Sequence, residues 1–402
     1  MSEKRLTQQL LLPDLRFVKE VHFKSKHLRI IYCEKVSTHE VCTRCASKCS
    51  KVYDRVNVTI KDTPIRNKHV QLKIRKRRFK CENCGYLFRE PVNGIFKGFR
   101  TTQRFRSHVR WCASKFMNLK EVGFSLRCSS WLVYKAYYEQ IELELRKTQN
   151  PWPKTIGIDE HSFLRNQKGA KVEFVSVFVD YTNKRMKEVV LGKAIGDLMC
   201  DRIKAIPGRE NVKNVIVDLS PTFRSFVKDF FPNARIIADH FHVVKLMHPL
   251  IHQMRKEIVE KLGIEKKRKN PIVRLLLTYR KKLQYHQRSA LDKFLKLAPE
   301  LEELYWYQQK LYRIYRIKGY NKAKKMLIQL TDEMCKSKNK RIVSYRNTLR
   351  SWHEEILNYF STGGLNNGRT EGYNRKAKLI QRCAYGFRSF KNYRLKLLYS
   401  CR

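Results

Sequence analysis

Acidic residues are scarce in this chain of 402 residues: 36 Asp and Glu face 86 Lys and Arg, for a formal net charge of +50. Each phosphate neutralised on a nucleic acid releases condensed counterion, so an excess of this size points to a polyanionic partner. A membrane-surface role fits less well, because the basic residues run the whole length instead of forming one polybasic segment. Long apolar runs are missing too. None approaches the roughly 20 residues that span a bilayer, and the apolar stretch near the N-terminus is too short for a signal peptide. There is no evident internal repeat and no long low-complexity tract. Core material is present: 42% hydrophobic and 11% aromatic residues exclude a disordered basic tail and allow two or three domains. The 12 cysteines come without a secretion signal and read as metal ligands or small buried hydrophobes, not disulfides. The expected location is the cytoplasm, nucleoid-associated in a bacterium.

Against this basic background three carboxylates stand out. Asp159 (Thr-Ile-Gly-Ile-Asp-Glu) and Asp218 (Asn-Val-Ile-Val-Asp-Leu-Ser) are each expected to end a short buried strand. Glu371 opens a basic helix whose same face carries Asn374, Arg375, Lys378 and Arg382. Isolated carboxylates are costly to bury unless paired or bound to a cation. Three that converge make a site for hard divalent metals, the chemistry of in-line phosphoryl transfer. The bland readings are a turn-forming aspartate and a glutamate placed to favour the helix dipole. Asp239, in Ile-Ile-Ala-Asp-His-Phe-His-Val, rivals Asp218 for the second carboxylate and with His240 and His242 also resembles a metal cluster.

Two C-x-x-C knuckles, Cys42-Thr-Arg-Cys45 and Cys81-Glu-Asn-Cys84, flank hairpin-like sequence and predict a closed, structural zinc site, with Cys49 and His39 as rival ligands. Short strands are expected between them, turning at Pro-Ile-Arg-Asn, and the basic strand with Arg75, Lys76, Arg77 and Arg78 is a candidate phosphate-contacting edge or a charge-blunted sheet edge. Residues 118–134 have the layout of a helix-turn-helix, with Gly123 where helices approach and Ser129 or Ser130 as N-cap. Its second helix would present Ser130 and Lys135 to a major groove. A plain packed helical pair shares that pattern.

After a break at Asn150-Pro-Trp-Pro, residues 155–242 look α/β, with strands over 155–159, 172–181, 188–191, 212–218 and 234–239. A turn near Lys184 suggests an antiparallel meander of the first three, and a helix over 222–230 suggests a parallel crossover between the last two. Residues 243–360 are helical in pattern; Leu301, Leu304, Tyr305, Gln308, Leu311, Tyr312 and Tyr315 mark one apolar face. A Gly/Asn-rich loop precedes a final basic helix over 370–382. The division expected is 1–92 zinc-ribbon-like, 93–150 helix-turn-helix, 151–242 catalytic core, 243–362 helical insertion and 363–402 the remainder of the core.

These residues resemble a known pattern. Cys42-x-x-Cys45, Arg77-Arg78-Phe79-x-Cys81, Gly157-Ile158-Asp159-Glu160, Val217-Asp218-Leu219-Ser220, Phe231-Pro232-Asn233-Ala234, Asp239-His240-Phe241-His242-Val243, Asn367-Gly368-x-x-Glu371-Gly372-x-Asn374-x-Lys376-x-Lys378 and Arg382-x-Ala384-Tyr385-Gly386-Phe387-Arg388 occur in order over nearly the whole chain. In this the chain is similar to the DDE transposases of bacterial insertion sequences, specifically the ISL-three family. The resemblance implies a multidomain α/β protein: a zinc-ribbon-like β domain, a helix-turn-helix and an RNase H-like core of strand order 3-2-1-4-5 interrupted by an all-α insertion. It implies Asp159, Asp218 and Glu371 as catalytic residues holding two Mg²⁺ or Mn²⁺ ions, with Asp239 and His242 supporting. Lys376, Lys378 and Arg382, with Arg375, are expected beside phosphates. Trp352 would stack on flanking DNA or anchor the insertion's core. The implied partners are terminal inverted repeats and target DNA, bound as a homodimer or higher oligomer, with end cleavage and strand transfer as the reaction. Two other classes share the modules: a non-catalytic DNA-binding regulator and a metal nuclease that does not join ends.

Overall fold

The computed structural model describes residues 10–115, 118–147, 150–164, 173–261 and 271–402. The chain divides into two compact units, Met1–Glu144 with Cys383–Tyr385, and Leu145–Arg382 with Gly386–Arg402. Among the described residues no helix is long and apolar enough to cross a membrane.

The first unit is built on strands β1 (Leu15–Phe23), β2 (Leu28–Lys35), β3 (Glu40–Val41), β4 (Lys48–Cys49), β5 (Val52–Ile65), β6 (Lys68–Lys80) and β7 (Leu87–Arg89). Its main sheet has the order β1-β2-β6-β5, with β7 on the far end of β6. The strands between the cysteine pairs are long, 14 and 13 residues, not short as expected. Their period-two pattern is the reason. Val70, Leu72 and Ile74 pack on Ile31, Ile60 and Leu15 while Gln71 and Lys73 between them alternate to the other face. Arg66 and Asn67, both at positive φ, form the tight turn, so Pro64 and Ile65 remain in or beside the ladder.

Three helices follow: α1 (Gln103–Lys115), α2 (Leu119–Ser125) and α3 (Ser130–Lys147), the last belonging to this unit as far as Glu144. Asn118 caps α2 by accepting from the Lys120 N–H, and Ser129, not Ser130, caps α3 by accepting from the Leu132 N–H. Gly123 is where α2 meets the turn: an added Cβ would lie 3.1 Å from the Cys128 carbonyl oxygen and 3.7 Å from Val133.

The second unit carries β8 (Thr155–Leu164), β9 (Glu173–Asp180), β10 (Arg185–Leu191), the short helices α4 (Ile195–Leu198) and α5 (Asp201–Lys204), then β11 (Asn214–Val217), α6 (Pro221–Phe230) and β12 (Arg235–Ala238). Val172, where the second strand was expected to begin, lies outside the described residues. The sheet order is β10-β9-β8-β11-β12, third-second-first-fourth-fifth along the chain. A turn with Lys184 at positive φ joins β9 to β10 antiparallel, and α6 makes the parallel crossover from β11 to β12. β8 departs from expectation. It runs past Asp159 to Leu164, because β9 stays paired with it after the parallel ladder to β11 ends at Gly157.

Helices α7 (His240–Lys245), α8 (Met247–Lys261), α9 (Pro271–Leu276), α10 (Tyr285–Lys296), α11 (Pro299–Ile314), α12 (Tyr320–Cys335), α13 (Lys340–Ser351) and α14 (His353–Ser361) form the helical segment. Leu301, Leu304, Tyr305, Gln308 and Leu311 are fully buried, as that face requires. Trp352 lies in the same core, its ring under the Arg224 guanidinium at 4.8 Å, which decides for the packing reading. Trp152 is buried too, ringed by Phe178, Phe230 and Phe231, so the Pro-Trp-Pro break is an anchor, not a loose linker.

Finally α15 (Gly368–Cys383) and α16 (Phe390–Ser400) cover the opposite face of the sheet, packing Ala377, Ile380, Tyr393 and Leu397 on Val175, Val177 and Val189. Helix α16 was not expected. The alternation of β8 sorts its residues between the layers: Ile156 and Ile158 enter the core shared with α6, while Gly157, Asp159 and His161 face α15.

Candidate active site and metal centre

The long β5–β6 hairpin closes the cysteine site. Val52 pairs with Phe79, so the knuckle that precedes β5 and the knuckle that follows β6 meet at one end of the hairpin. Both knuckles turn alike: Ala46 N–H donates to the Cys42 carbonyl at 3.0 Å and Gly85 N–H to the Cys81 carbonyl at 2.9 Å, with Ala46 and Gly85 at positive φ. Zn–S bonds of about 2.3 Å in a tetrahedron put sulfurs about 3.8 Å apart. Here Cys42–Cys84 and Cys45–Cys81 are 3.7 and 3.5 Å apart, and all four Sγ atoms lie within 4.8 Å of one another. The four thiols fit a structural Zn²⁺. Cys49 instead donates to the Ser47 carbonyl and His39 is exposed beside Thr38, so neither rival joins the four.

The strand ends of the second unit gather carboxylates. Asp159 Oδ1 accepts from the Glu160 N–H at 2.7 Å and Oδ2 from the Asn374 side-chain amide at 2.7 Å. Burial and then the negative charge of neighbouring Asp218 push Asp159 up to about 7. Asp218, just past β11, and Asp239, just past β12, converge on one imidazole: His242 Nδ1 is 3.0 Å from Asp218 Oδ1 and 2.9 Å from Asp239 Oδ2. Burial opposes charge on His242, yet the two carboxylates outweigh it and push the imidazole up to about 10. Asp218, Asp239 and His242 each offer a ligand atom within 4.8 Å of the others. Of the two rivals, Asp218 is the one that couples to Asp159. Asp239 is buried and anchored by the Asn367 N–H at 2.9 Å.

Glu371 stands in the first turn of α15. Its carboxylate pairs with Arg375 at 2.8 Å and is half exposed, so the structure does not bring it into ligand contact with the aspartates. Its backbone position is another matter. Asn367, Glu371 and Asn374 follow the i, i+4, i+7 spacing of one helix face, and the two asparagines flanking Glu371 reach the two aspartates. Asn374 holds Asp159, while Asn367 extends its amide to Asp218 at 3.3 Å and to the Ile158 carbonyl at 3.5 Å. Behind Asn374, its Oδ1 accepts from His161 Nδ1 at 2.9 Å, and His161 Nε2 meets the Tyr393 hydroxyl at 2.6 Å. Burial pushes His161 down to about 4, so it is neutral near pH 7. Gly157 lets this helix come close: a Cβ there would overlap Thr370 Oγ1 and lie 2.6 Å from the Tyr181 ring.

A family model described as a transposase, that of the DDE transposases of the ISL-three (ISL3) family, matches residues 156–397, and one described as the zinc-finger of transposase IS204/IS1001/IS1096/IS1165 matches residues 39–84. The chain belongs to the ISL-three family of transposases. It is also similar to the transposase for insertion sequence element IS1001 of Bordetella parapertussis, 23% identical over 376 residues that cover 91% of this chain and 90% of that relative.

In this ISL-three transposase the remaining expected residues divide into free and engaged. On β6, Arg75 is exposed, but Arg77 is bonded to Glu90 at 2.7 Å, Arg78 to Asp54 at 2.6 Å, and Lys76 to the Glu90 carbonyl at 3.3 Å. On α15, Lys378 and Arg382 are exposed, Arg375 pairs with Glu371, and Lys376 donates to the Ser400 carbonyl. On α3, Ser130 is exposed, and the Lys135 ammonium lies 4.7 Å from the Trp131 ring and 3.9 Å from Glu139. Beside α2 and α3 lies an open groove of about 780 Å³ whose lining includes His69, Lys120, Phe124, Arg127 and Ser130. Sequence reasoning missed His161, Tyr393 and Asn367 as site residues. The asparagines stood in the Asn-Gly-x-x-Glu-Gly-x-Asn motif, the one signal that flagged them.

Proposed function

We propose that the chain binds the terminal inverted repeats of an insertion sequence and carries out metal-dependent end cleavage and strand transfer, on an RNase H-like core. The observation that supports this reading is the pair of asparagines, Asn367 and Asn374, that reach Asp218 and Asp159 from either side of Glu371 in sequence; in this reading Glu371 leaves Arg375 to join the aspartates when metal binds. Asp159, Asp218 and Glu371 would hold divalent ions, Mg²⁺ or Mn²⁺, which supply Lewis-acid stabilisation of an in-line displacement at phosphorus. The donor set fits: carboxylate oxygens suit hard cations, and the mutual repulsion of Asp159 and Asp218 is relieved by a cation between them. Asp239, anchored by Asn367, and His242 between the two carboxylates support Asp218 from behind.

For DNA recognition the zinc-ribbon sheet and the α2–α3 pair act together in this reading, with α2–α3 as the helix-turn-helix. Exposed Arg75 and the groove bearing Lys120, Arg127 and Ser130 supply the cationic surface beside solvent-facing Phe124 and Trp131. Lys378 and Arg382 extend a basic face along α15 from Glu371 and suit phosphates. Incubation of the full chain with Mg²⁺ and labelled terminal-repeat DNA tests the proposal. Wild type is expected to cut and join ends and Glu371→Gln to do neither. Equal cleavage by both overturns the catalytic assignment, specific binding without cleavage indicates a regulator, and cleavage without joined products indicates a nuclease.

A further inference from the structure

We infer that Asn374, backed by His161 and Tyr393, and its partner Asn367 are positioning residues that fix the two aspartates and the Glu371 helix in a single frame. The inference rests on the function proposed above and goes beyond it by giving the two asparagines, with His161 and Tyr393 behind them, a part in setting metal affinity.

The buried stripe of α15 changes chemistry along its length. Thr370 and Asn374 are polar, whereas Ala377 and Ile380, further down the same face, are apolar and pack on the sheet. A buried amide that served only to dock the helix would be disfavoured against an aliphatic residue, because its polar atoms must be desolvated. Asn374 is placed where the stripe passes Asp159, and every one of its groups there has a specific partner.

The donor sense of the chain is determined by its members. Asp159 Oδ2 is a carboxylate oxygen, so the group facing it at 2.7 Å is the Asn374 NH₂. Asn374 Oδ1 then faces His161 at 2.9 Å and can only accept, so His161 Nδ1 carries the hydrogen. His161 Nε2 meets the Tyr393 hydroxyl at 2.6 Å, from a residue on α16 whose ring is fully buried. The Asp159 contact sets the amide orientation, since a flip of Asn374 would place its oxygen against a carboxylate oxygen, and His161 takes the tautomer that suits it. With Oδ1 of Asp159 held by the Glu160 N–H, the carboxylate is fixed from both sides.

Asn367 does the equivalent at the other end of the face. Its backbone N–H holds Asp239 Oδ1 at 2.9 Å, and its side-chain amide extends to Asp218 Oδ1 at 3.3 Å. Two turns of one helix thus report the positions of β8, β11 and β12 to the glutamate between them. Such outer partners of ligand groups typically change metal affinity or activity by about 10–100-fold when removed.

The test uses the full zinc-loaded chain, Mn²⁺ as the metal and labelled terminal-repeat DNA as substrate. Asn374→Leu keeps the approximate shape without donors, and Tyr393→Phe keeps the ring in the core while removing only the distal hydroxyl. Both are expected to bind DNA ends like wild type when no divalent metal is added. The Mn²⁺ concentration giving half-maximal cleavage should rise, by about 10–100-fold for Asn374→Leu and by less for Tyr393→Phe. A purely structural role would lower thermal stability and leave the metal dependence of the folded fraction unchanged. If Asn374→Leu does not fold, Tyr393→Phe decides. Folded variants with wild-type metal dependence and rate overturn the inference and leave the proposed function standing, whereas a wild-type chain that never cleaves overturns both.

Discussion

Gly157 is the position at which one methyl group tests the architecture. It lies on β8 beneath the first turn of α15, and an added Cβ would overlap Thr370 Oγ1, lie 2.6 Å from Tyr181 Cε2 and 3.1 Å from Asn367 Oδ1. None of these atoms is free to swing away. Thr370 is fully buried, and the Tyr181 hydroxyl is held by the Asn366 carbonyl at 2.9 Å and Thr370 Oγ1 at 3.0 Å. Overpacking a core by a methyl group costs about 1–3 kcal/mol, and breaking the Tyr181–Thr370 hydrogen bond adds about 1 kcal/mol. Gly157→Ala should therefore destabilise the chain by about 2–4 kcal/mol. If the strain is relieved by lifting α15, the loss in end cleavage should be on the order of 100-fold, the scale of a misplacement of about 1 Å. Gly372 is the control. It is exposed on the same helix with nothing within 4 Å of its added Cβ, so Gly372→Ala should stabilise by up to about 1 kcal/mol through helix propensity. Urea denaturation followed by tryptophan fluorescence, with cleavage assayed in parallel, measures both. A Gly157→Ala protein with wild-type midpoint and wild-type rate refutes the close-approach reasoning.

Three further outcomes follow from the geometry. Metal analysis of the purified chain should find one zinc; Cys84→Ser should lose it with the fold of the first unit, whereas Cys49→Ser should retain it, and equal zinc content in both variants would contradict the ligand assignment. Arg394→Met should cost about 3–5 kcal/mol in urea denaturation, because it leaves the buried Glu188 carboxylate, now bonded to Arg394 at 2.6 Å, without its partner; an unchanged midpoint would show that Glu188 is solvated. His242 is pushed up to about 10 by Asp218 and Asp239, so its folded value lies above its unfolded one. The stabilisation it gives is complete below about pH 6.5 and is lost as pH rises through about 10. Without added divalent metal, the melting temperature of wild type should therefore fall over that window relative to His242→Gln, and parallel curves would refute the pairing.

What was legible in the sequence was whatever has a period or a local signal. The turn at Lys184 and the helix between β11 and β12 were enough to suggest the antiparallel and parallel halves of the sheet. The end of β8 was misplaced because its β-branched run stops before Asp159. The strand continues through His161, which reads as polar but is buried by its bonds to Asn374 and Tyr393. Helix α16 went unseen for a related reason: Arg394 and Lys396 sit within it, and paired or buried cations blur the apolar stripe that marks a covered helix face. Charge totals also conceal which cations are engaged, so Arg77 and Arg78 looked as available as Arg75 until Glu90 and Asp54 were found against them. The contacts at the carboxylates were the least legible, since Asn374 and Asp159 are 215 residues apart and an amide–carboxylate bond leaves no periodic trace.

Those contacts also give the scarcity of acid a meaning that composition alone did not. With 86 Lys and Arg in the chain, an aspartate would ordinarily be expected to collect one of them. The donors that meet Asp159 are instead a backbone N–H and the Asn374 amide, and those that meet Asp218 are the Asn367 amide and the His242 imidazole. Permanent cations are kept for the surroundings: Arg375 on the glutamate, Lys378 and Arg382 further along the same helix. A guanidinium or ammonium against the aspartates would neutralise them and occupy the place of an exogenous ion. The Asn374 and Asn367 amides orient Asp159 and Asp218 without discharging them, and the cation that does meet Asp218 and Asp239, the His242 imidazolium, is one that can give up its proton, so a divalent metal can take over the charge it balanced.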